Sequence, residues 1–202
     1  MTRIALLRHF PTSWNGEHRF QGQTDIPLTE ESRAQLNELA IPAPWNTARI
    51  IASPLTRAAE TAQILARGRP ATDPVAHDPR LVEISFGDWE GLHGADLLAD
   101  PNSGYVNVED WGWHRRAPAG ESPWDVWERV QPALAEIAAG ATPTLLVVHR
   151  ALMRVILARA WDWHYDSPEP FEIKRGRIYP LTLLPDGSPT TPEEPARLVP
   201  YP

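Results

Sequence analysis

Three short apolar runs in this 202-residue chain end in side chains that can bind or transfer an anion. The first, Arg3-Ile-Ala-Leu-Leu-Arg8, stops at Arg8-His9. The second, Ala48-Arg-Ile-Ile-Ala-Ser53, leads through Pro54 to Arg57, and the third, Thr144-Leu-Leu-Val-Val-His149, stops at His149. Two arginines and two histidines brought together suit a small dianion, because guanidinium groups donate charge-assisted, bidentate hydrogen bonds to phosphate oxygens. A neutral imidazole among them is also a nucleophile at physiological pH, and the cations would neutralise the oxygens of a phosphoryl group in transfer. A covalent phosphohistidine follows from that chemistry. The leaving alkoxide then needs a proton and the attacking water must lose one, so a carboxyl group has to serve both steps. Glu83, in Leu81-Val-Glu-Ile-Ser-Phe-Gly-Asp-Trp-Glu-Gly91, is the first candidate, with Asp88 and Glu90 behind it.

The elements that must position these groups are legible as alternating patterns. Near-continuous apolar runs suit parallel strands buried on both faces. Helical patterns lie between and after them. Glu30 to Leu39 is one; Pro54 to Ala66 is another, with Ser53 as N-cap and Leu55, Ala58, Ala59, Ala62 and Leu65 on one stripe. Trp124 to Ala139 carries Val126, Val130, Leu134 and Ile137 in phase, with Pro132 predicting a kink or a late start. Ala151 to Trp161 follows the third strand, and Ile178 to Leu184 reads as a further strand. Alternating strands and helices imply an α/β sheet with crossover helices, whose ligands bind at the carboxyl ends of the strands, where helix N-termini offer free N–H groups. Residues 1–184 form a single expected domain. Within it, Asp88 to Ser122 is an aperiodic excursion of the kind that makes lids or binding loops. Pro185 and the residues after it hold six of the 22 prolines and read as an extended or mobile tail.

Composition narrows the partners. A formal net charge of −7 argues against a nucleic-acid or anionic-lipid surface, so any phosphate must be held by a local cluster. The absence of cysteine excludes disulfides and thiolate chemistry and fits a cytoplasmic protein. The apolar segment Ile4 to Leu7 is too short for a signal-peptide core or a membrane span. His77, His93, His114 and His164 lack partners at metal-ligand spacing, so no metal site is expected. The tryptophans between Trp89 and Trp127 read as core and lid packing ahead of an aromatic wall for substrate, and Arg115-Arg116 reads as an exposed pair or a second anion contact.

Four blocks in order resemble the histidine phosphatase superfamily, of phosphoglycerate mutase-like fold, and within it the short bacterial phosphatase branch. They are Leu7-Arg-His-Phe-Pro-Thr-Ser-Trp-Asn15 with Arg19-Phe-Gln-Gly-Gln-Thr-Asp-Ile-Pro-Leu-Thr29; Ala52-Ser-Pro-Leu-Thr-Arg-Ala-Ala-Glu-Thr-Ala62; Glu83 to Gly91; and Val147-Val-His149 with Arg154 behind it. The resemblance implies a three-layer α/β/α sandwich with a mostly parallel central sheet. It implies His9 as nucleophile, Arg8, Arg57 and His149 as phosphate clamp, Glu83 as acid/base, and Asn15, Gln21 and Gly22 on the substrate side. Gly120-Glu-Ser122 also resembles a family element leading into the pocket, no cofactor is implied, and a homodimer is left open.

Phe10 and Arg150 stand where the family usually has glycine after each histidine, and His18 also replaces a common glycine. A side chain there would either crowd the pocket or point away, and Arg150 could add a contact to substrate anions. The expected activity is metal-independent hydrolysis of a small phosphorylated metabolite through phosphohistidine. The rivals are a phosphoglycerate mutase, against which the Phe86-Gly-Asp-Trp-Glu-Gly91 stretch speaks, and a degenerate phospho-ligand-binding protein.

Overall fold

The first apolar run forms strand β1 (Thr2–Arg8), and its successive residues face two different helix layers. The structure, a computed structural model, describes all residues except 72, 108–109, 166, 191 and 202. After β1 come the short helix α1 (Ser13–Gly16), helix α2 (Glu30–Asn37) and strands β2 (Leu39–Ala40) and β3 (Arg49–Ala52). Helix α3 (Thr56–Ala66), strand β4 (Ala76–His77) and helices α4 (Gly94–Ala99) and α5 (Pro123–Ala139) follow. The chain ends with β5 (Thr144–Val148), α6 (Arg150–Ala160), β6 (Arg177–Leu183), β7 (Ala196–Arg197) and β8 (Val199–Pro200).

The main sheet has the order β4-β3-β5-β1-β6-β7. β4, β3, β5 and β1 are mutually parallel, whereas β6 runs antiparallel to β1 and pairs antiparallel with β7 at the edge. Ile4 and Leu6 face Val126, Val130 and Leu134 of α5 and Leu152, Val155 and Ile156 of α6. Ala5 and Leu7 face Leu36 of α2 and Ala58, Ala62 and Leu65 of α3. Both faces of the sheet are thus covered, which is why its strands read as unbroken apolar runs and why the layers stack as α/β/α. Among the described residues no helix is long and apolar enough to cross a membrane.

Several element boundaries differ from the sequence expectation for local reasons. Helix α3 starts at Thr56, because Leu55 stays extended; Leu55, not Ser53, takes the cap position, and the Ser53 hydroxyl accepts from the Leu55 N–H at 3.3 Å. Helix α5 has no late start. Ser122 and Asp125 cap it reciprocally and Pro123 occupies its first turn, so the helix runs on through Pro132, whose lost hydrogen bond is offset by the buried stripe on either side. The excursion from Asp88 to Ser122, of which 108 and 109 lie outside the described residues, contains α4 and a nest of rings. Trp89 and Trp111 are buried, and Tyr105 meets Trp89 edge-on at 5.1 Å, so these tryptophans pack the core beneath the excursion. The segment after Pro185, apart from positions 191 and 202, is extended but also paired: β7 adds to β6, β8 pairs with β2, and Leu198 enters the second core.

Phe10 is only 2 % exposed and packs in that same second core with Leu7, Leu28 and Leu36. It does not crowd the neighbouring cavity, and a return to glycine there would empty the core. Phe10→Ala is expected to lower the free energy of unfolding in urea by about 3–5 kcal/mol; a loss below about 1 kcal/mol would contradict this packing.

Candidate active site

The carboxyl ends of the parallel strands gather at one place. The His9 N–H donates to the Val148 carbonyl at 2.9 Å and the Ser53 N–H to the Val147 carbonyl at 3.1 Å, so β1, β5 and β3 end side by side. Against them opens a cavity of about 1040 Å³, whose inner wall includes Arg8, His9, Arg57, Glu83 and Arg150. Its substrate-side wall includes Trp14, Asn15, Gln21 and Gly22, and residues of the excursion, among them His93, Asp96 and Tyr105, form the rim.

His9 is nearly enclosed, at 4 % exposure, and its Nδ1 lies 2.6 Å from the Phe10 carbonyl oxygen. A carbonyl only accepts, so Nδ1 carries the proton and Nε2 keeps the lone pair. Burial, and then the charges of Arg57 and Arg8, hold the His9 imidazolium well below its ordinary range, so the ring is neutral. His149 sits beside it, with ring centroids 5.2 Å apart and no exposed surface. Burial and the positive charge of Arg57 push its pKa well down too, and neither of its ring nitrogens has a hydrogen-bond partner among the described residues. An acceptor-rich ligand beside it would supply what the protein does not.

Arg57 is buried in the first turn of α3. Its Nη1 donates to the Thr24 carbonyl at 2.9 Å and its Nη2 to the Gly22 carbonyl at 2.7 Å, while its Nε has no partner among the described residues. The Arg8 side chain makes no hydrogen bond within the described residues, and its buried Nε is likewise unpartnered. Burial lowers the pKa of both guanidinium groups, and Arg175 and Arg150 lower that of Arg8 further.

Glu83 joins the site through helix α6. Its Oε1 accepts from the Leu152 N–H at 2.9 Å and the Ile84 N–H at 3.0 Å, and its Oε2 from the Ala151 N–H at 3.1 Å. Free N–H groups of a helix first turn thereby fix the carboxyl against the cavity. Its loop is clamped from behind. Arg129 donates to the Glu83 carbonyl at 2.9 Å, and Glu121 accepts from the Ser85 N–H at 2.9 Å while pairing with Arg129. The Gly120-Glu-Ser122 element therefore supports the loop that carries Glu83 and caps α5; it does not line the cavity.

The two weaker carboxylate candidates stand elsewhere. Asp88 is exposed. Glu90 is a latch: its carboxylate accepts from the N–H groups of Gln23, Thr24 and Phe86 at 2.9–3.0 Å and from the Thr24 hydroxyl at 2.6 Å. Gly22 beside it has a φ of +53°, and a Cβ there would fall 1.9 Å from the Glu90 carboxylate, so glycine is required. Asn15 lines the cavity while its Oδ1 accepts from the Thr12 N–H at 3.1 Å. Gln21 donates to the Thr12 hydroxyl and leaves its buried Oε1 without a partner.

Of the departures from glycine, Phe10 turns away into the core, His18 lines the cavity with a φ of +58°, and Arg150 lines its inner wall. Arg115 donates to the Gly104 carbonyl and Arg116 pairs with Asp125, and neither reaches the cavity. Arg154, behind the second histidine, is buried against Trp163 and Tyr165 and pairs with Glu169 at 3.0 Å, a packing role. Among the described residues no three His, Asp or Glu side chains gather as metal ligands would. One residue not singled out in the sequence belongs to the site. Arg175 donates from Nε to the His9 carbonyl at 3.3 Å. It precedes β6, and only the antiparallel direction of that strand brings its start beside the end of β1.

The "Probable phosphoglycerate mutase GpmB" of Cronobacter sakazakii is 38% identical over 162 residues, covering 74% of this chain and 70% of that protein. The "Glucosyl-3-phosphoglycerate phosphatase" of Mycolicibacterium vanbaalenii is 34% identical over 168 residues, covering 77% and 72%. The solved structure of a mycobacterial glucosyl-3-phosphoglycerate phosphatase in complex with VO3 superposes with a TM-score of 0.76 at 28% identity, over 90% of this chain and 93% of that one. The fold is thus that of the phosphoglycerate mutase-like enzymes. Residues 4–190 match the sequence profile of the histidine phosphatase superfamily (branch 1), and the chain belongs to that superfamily.

Proposed function

We propose that this protein hydrolyses a small phosphorylated metabolite without a metal, by way of a phosphoryl group carried on His9. The observation that carries the reading is the 2.6 Å contact from His9 Nδ1 to the Phe10 carbonyl, which leaves Nε2 unprotonated within a wall of cationic groups. In the first step the Nε2 lone pair attacks phosphorus and the ester P–O bond breaks. The leaving oxygen takes a proton from the Glu83 carboxyl group. In the second step the Glu83 carboxylate removes a proton from water, the new P–O bond forms, the P–N bond to His9 breaks, and inorganic phosphate departs. Arg8, Arg57 and His149 would hold the phosphoryl oxygens throughout, and Asn15, Gln21 and Gly22 would face the rest of the substrate.

A phosphoglycerate mutase is the second reading, favoured by the relative of that name. It would use the same nucleophile but protect the phosphohistidine from water. The cavity, at about 1040 Å³, is at the upper end of the range for a whole small-molecule site. A three-carbon acid would leave much of it to solvent, which favours hydrolysis.

With p-nitrophenyl phosphate in EDTA, turnover is expected to persist and to fall by at least about 10³-fold in His9→Ala; equal rates would remove His9 from the mechanism. Because His9 titrates well below its ordinary value of 6.5, the acid limb of kcat/KM is expected below that pH, and a limb at 6.5 would indicate an exposed, titrating imidazole. Glu83→Gln is expected to slow alkyl phosphates by about 10²–10⁴-fold. The loss should be clearly smaller for formation of the phosphoenzyme from p-nitrophenyl phosphate, whose leaving group needs no proton. An identical loss on both substrates would count against Glu83 as the acid.

A further inference from the structure

Strand β1 runs out at the nucleophile. The His9 N–H still bonds to β5 at the Val148 carbonyl, but the pairing of β1 with β6 ends at Leu7 opposite Ile178, so the His9 carbonyl lies beyond the ladder on that side. A buried carbonyl needs a donor, and a side chain supplies it: Arg175 donates from Nε at 3.3 Å. The turn that carries Arg175 is itself fixed. Gly176 takes a φ of +69°, and its carbonyl accepts from the Leu198 N–H at 2.9 Å, so the end of the chain ties this turn down. The other side of the His9–Phe10 peptide group is held from α3, where the Thr61 hydroxyl accepts from the Phe10 N–H at 3.2 Å and donates to the Arg57 carbonyl at 2.7 Å. Beyond it the Phe10 ring is locked in the second core and the Pro11 carbonyl accepts from the Ser32 hydroxyl at 2.8 Å. Between these anchors stands the Phe10 carbonyl, the acceptor for His9 Nδ1.

We propose that Arg175 is a positioning residue for the nucleophile: its bond to the His9 carbonyl sets the plane of the His9–Phe10 peptide, which holds the Phe10 carbonyl against Nδ1 and so keeps Nε2 as the free nitrogen. Rotation of that peptide would swing the Phe10 carbonyl away from the ring, and the ring would lose what fixes its proton on Nδ1. A ring with the proton on Nε2 cannot attack phosphorus from that atom. Arg175 does not line the cavity, so it acts on the ligand only through His9. The bond matters more than the charge. Burial, Arg57 and Arg8 come before Arg175 in keeping the His9 ring neutral, and all three remain without it. The assignment rests on the reading of His9 as nucleophile above, and adds to it the residue that orients the ring.

Two substitutions of matched shape separate the hydrogen bond from the rest of the side chain. In Arg175→Gln the amide nitrogen stands as many bonds from the backbone as Nε does and keeps a donor; in Arg175→Met a methyl group takes that place. In single turnovers of p-nitrophenyl phosphate, Arg175→Met is expected to release p-nitrophenol at least about tenfold more slowly at saturation, with half-saturation within about threefold of wild type. Arg175→Gln should stay within about threefold of wild type in both. The nitrogen NMR shifts of the His9 ring should report Nδ1–H in wild type and Arg175→Gln, and a mixture with Nε2–H in Arg175→Met. A wild-type rate in Arg175→Met, equal losses in both variants, a change confined to half-saturation, or a slow Arg175→Met whose ring keeps Nδ1–H overturns the assignment. If Arg175→Met does not fold, Thr61→Val releases the other side of the same peptide and must show the same loss; a wild-type rate there overturns the assignment equally. Failure of the phosphatase reading shows separately, because the ring shifts need no turnover: wild type would leave p-nitrophenyl phosphate intact while the tautomer still changed in Arg175→Met.

Discussion

A guanidinium buried in the first turn of a helix is unfavourable twice, through lost hydration and through the positive end of the helix dipole, and Arg57 occupies that position. What holds it is a pair of hydrogen bonds to the Gly22 and Thr24 carbonyls. Much of the site follows from this arrangement. The loop bearing Gln21 and Gly22 must turn its carbonyls inward, Gly22 must take a positive φ, and Glu90 must fasten the same loop from its other side through the N–H groups of Gln23 and Thr24. The charge of Arg57 in turn lies beside two histidines and disfavours their protonation. A cationic pocket that binds an anion thereby keeps its nucleophile neutral, and one buried cation meets both requirements.

The α/β/α layering and the convergence of Arg8, His9, Arg57 and His149 were legible because they depend on near neighbours in sequence. Apolar runs buried on both faces, each ending in a charged or titratable residue, announce parallel strands and the place where their ends meet. Glu83 was legible as one of three carboxylates. Only tertiary contacts separate them: Glu83 meets the start of α6, Glu90 meets the loop at 23–24, and Asp88 meets solvent.

The rest was hidden for the same kind of reason. Arg175 reaches His9 only because β6 runs antiparallel to β1, and strand direction leaves no local trace in a seven-residue run. Phe10 reads as an intrusion into a glycine position until the second core, assembled from α2, α3 and the end of the chain, is seen to enclose it. The proline-rich end gave no strand pattern, since two-residue pairings such as Ala196–Arg197 and Val199–Pro200 are too short to show alternation. At Pro132 the local rule against proline lost to the capping of α5 and its buried stripe.

The central claim is that His9 Nε2 becomes covalently phosphorylated. The most direct measurement is rapid quench of a single turnover into alkali, followed by peptide mass spectrometry and parallel acid treatment of the labelled protein. The account predicts an acid-labile, alkali-stable phosphoryl group on the peptide containing His9, formed and lost at rates compatible with turnover. Turnover with no phosphoryl group on His9, or with the group on another residue, would contradict it.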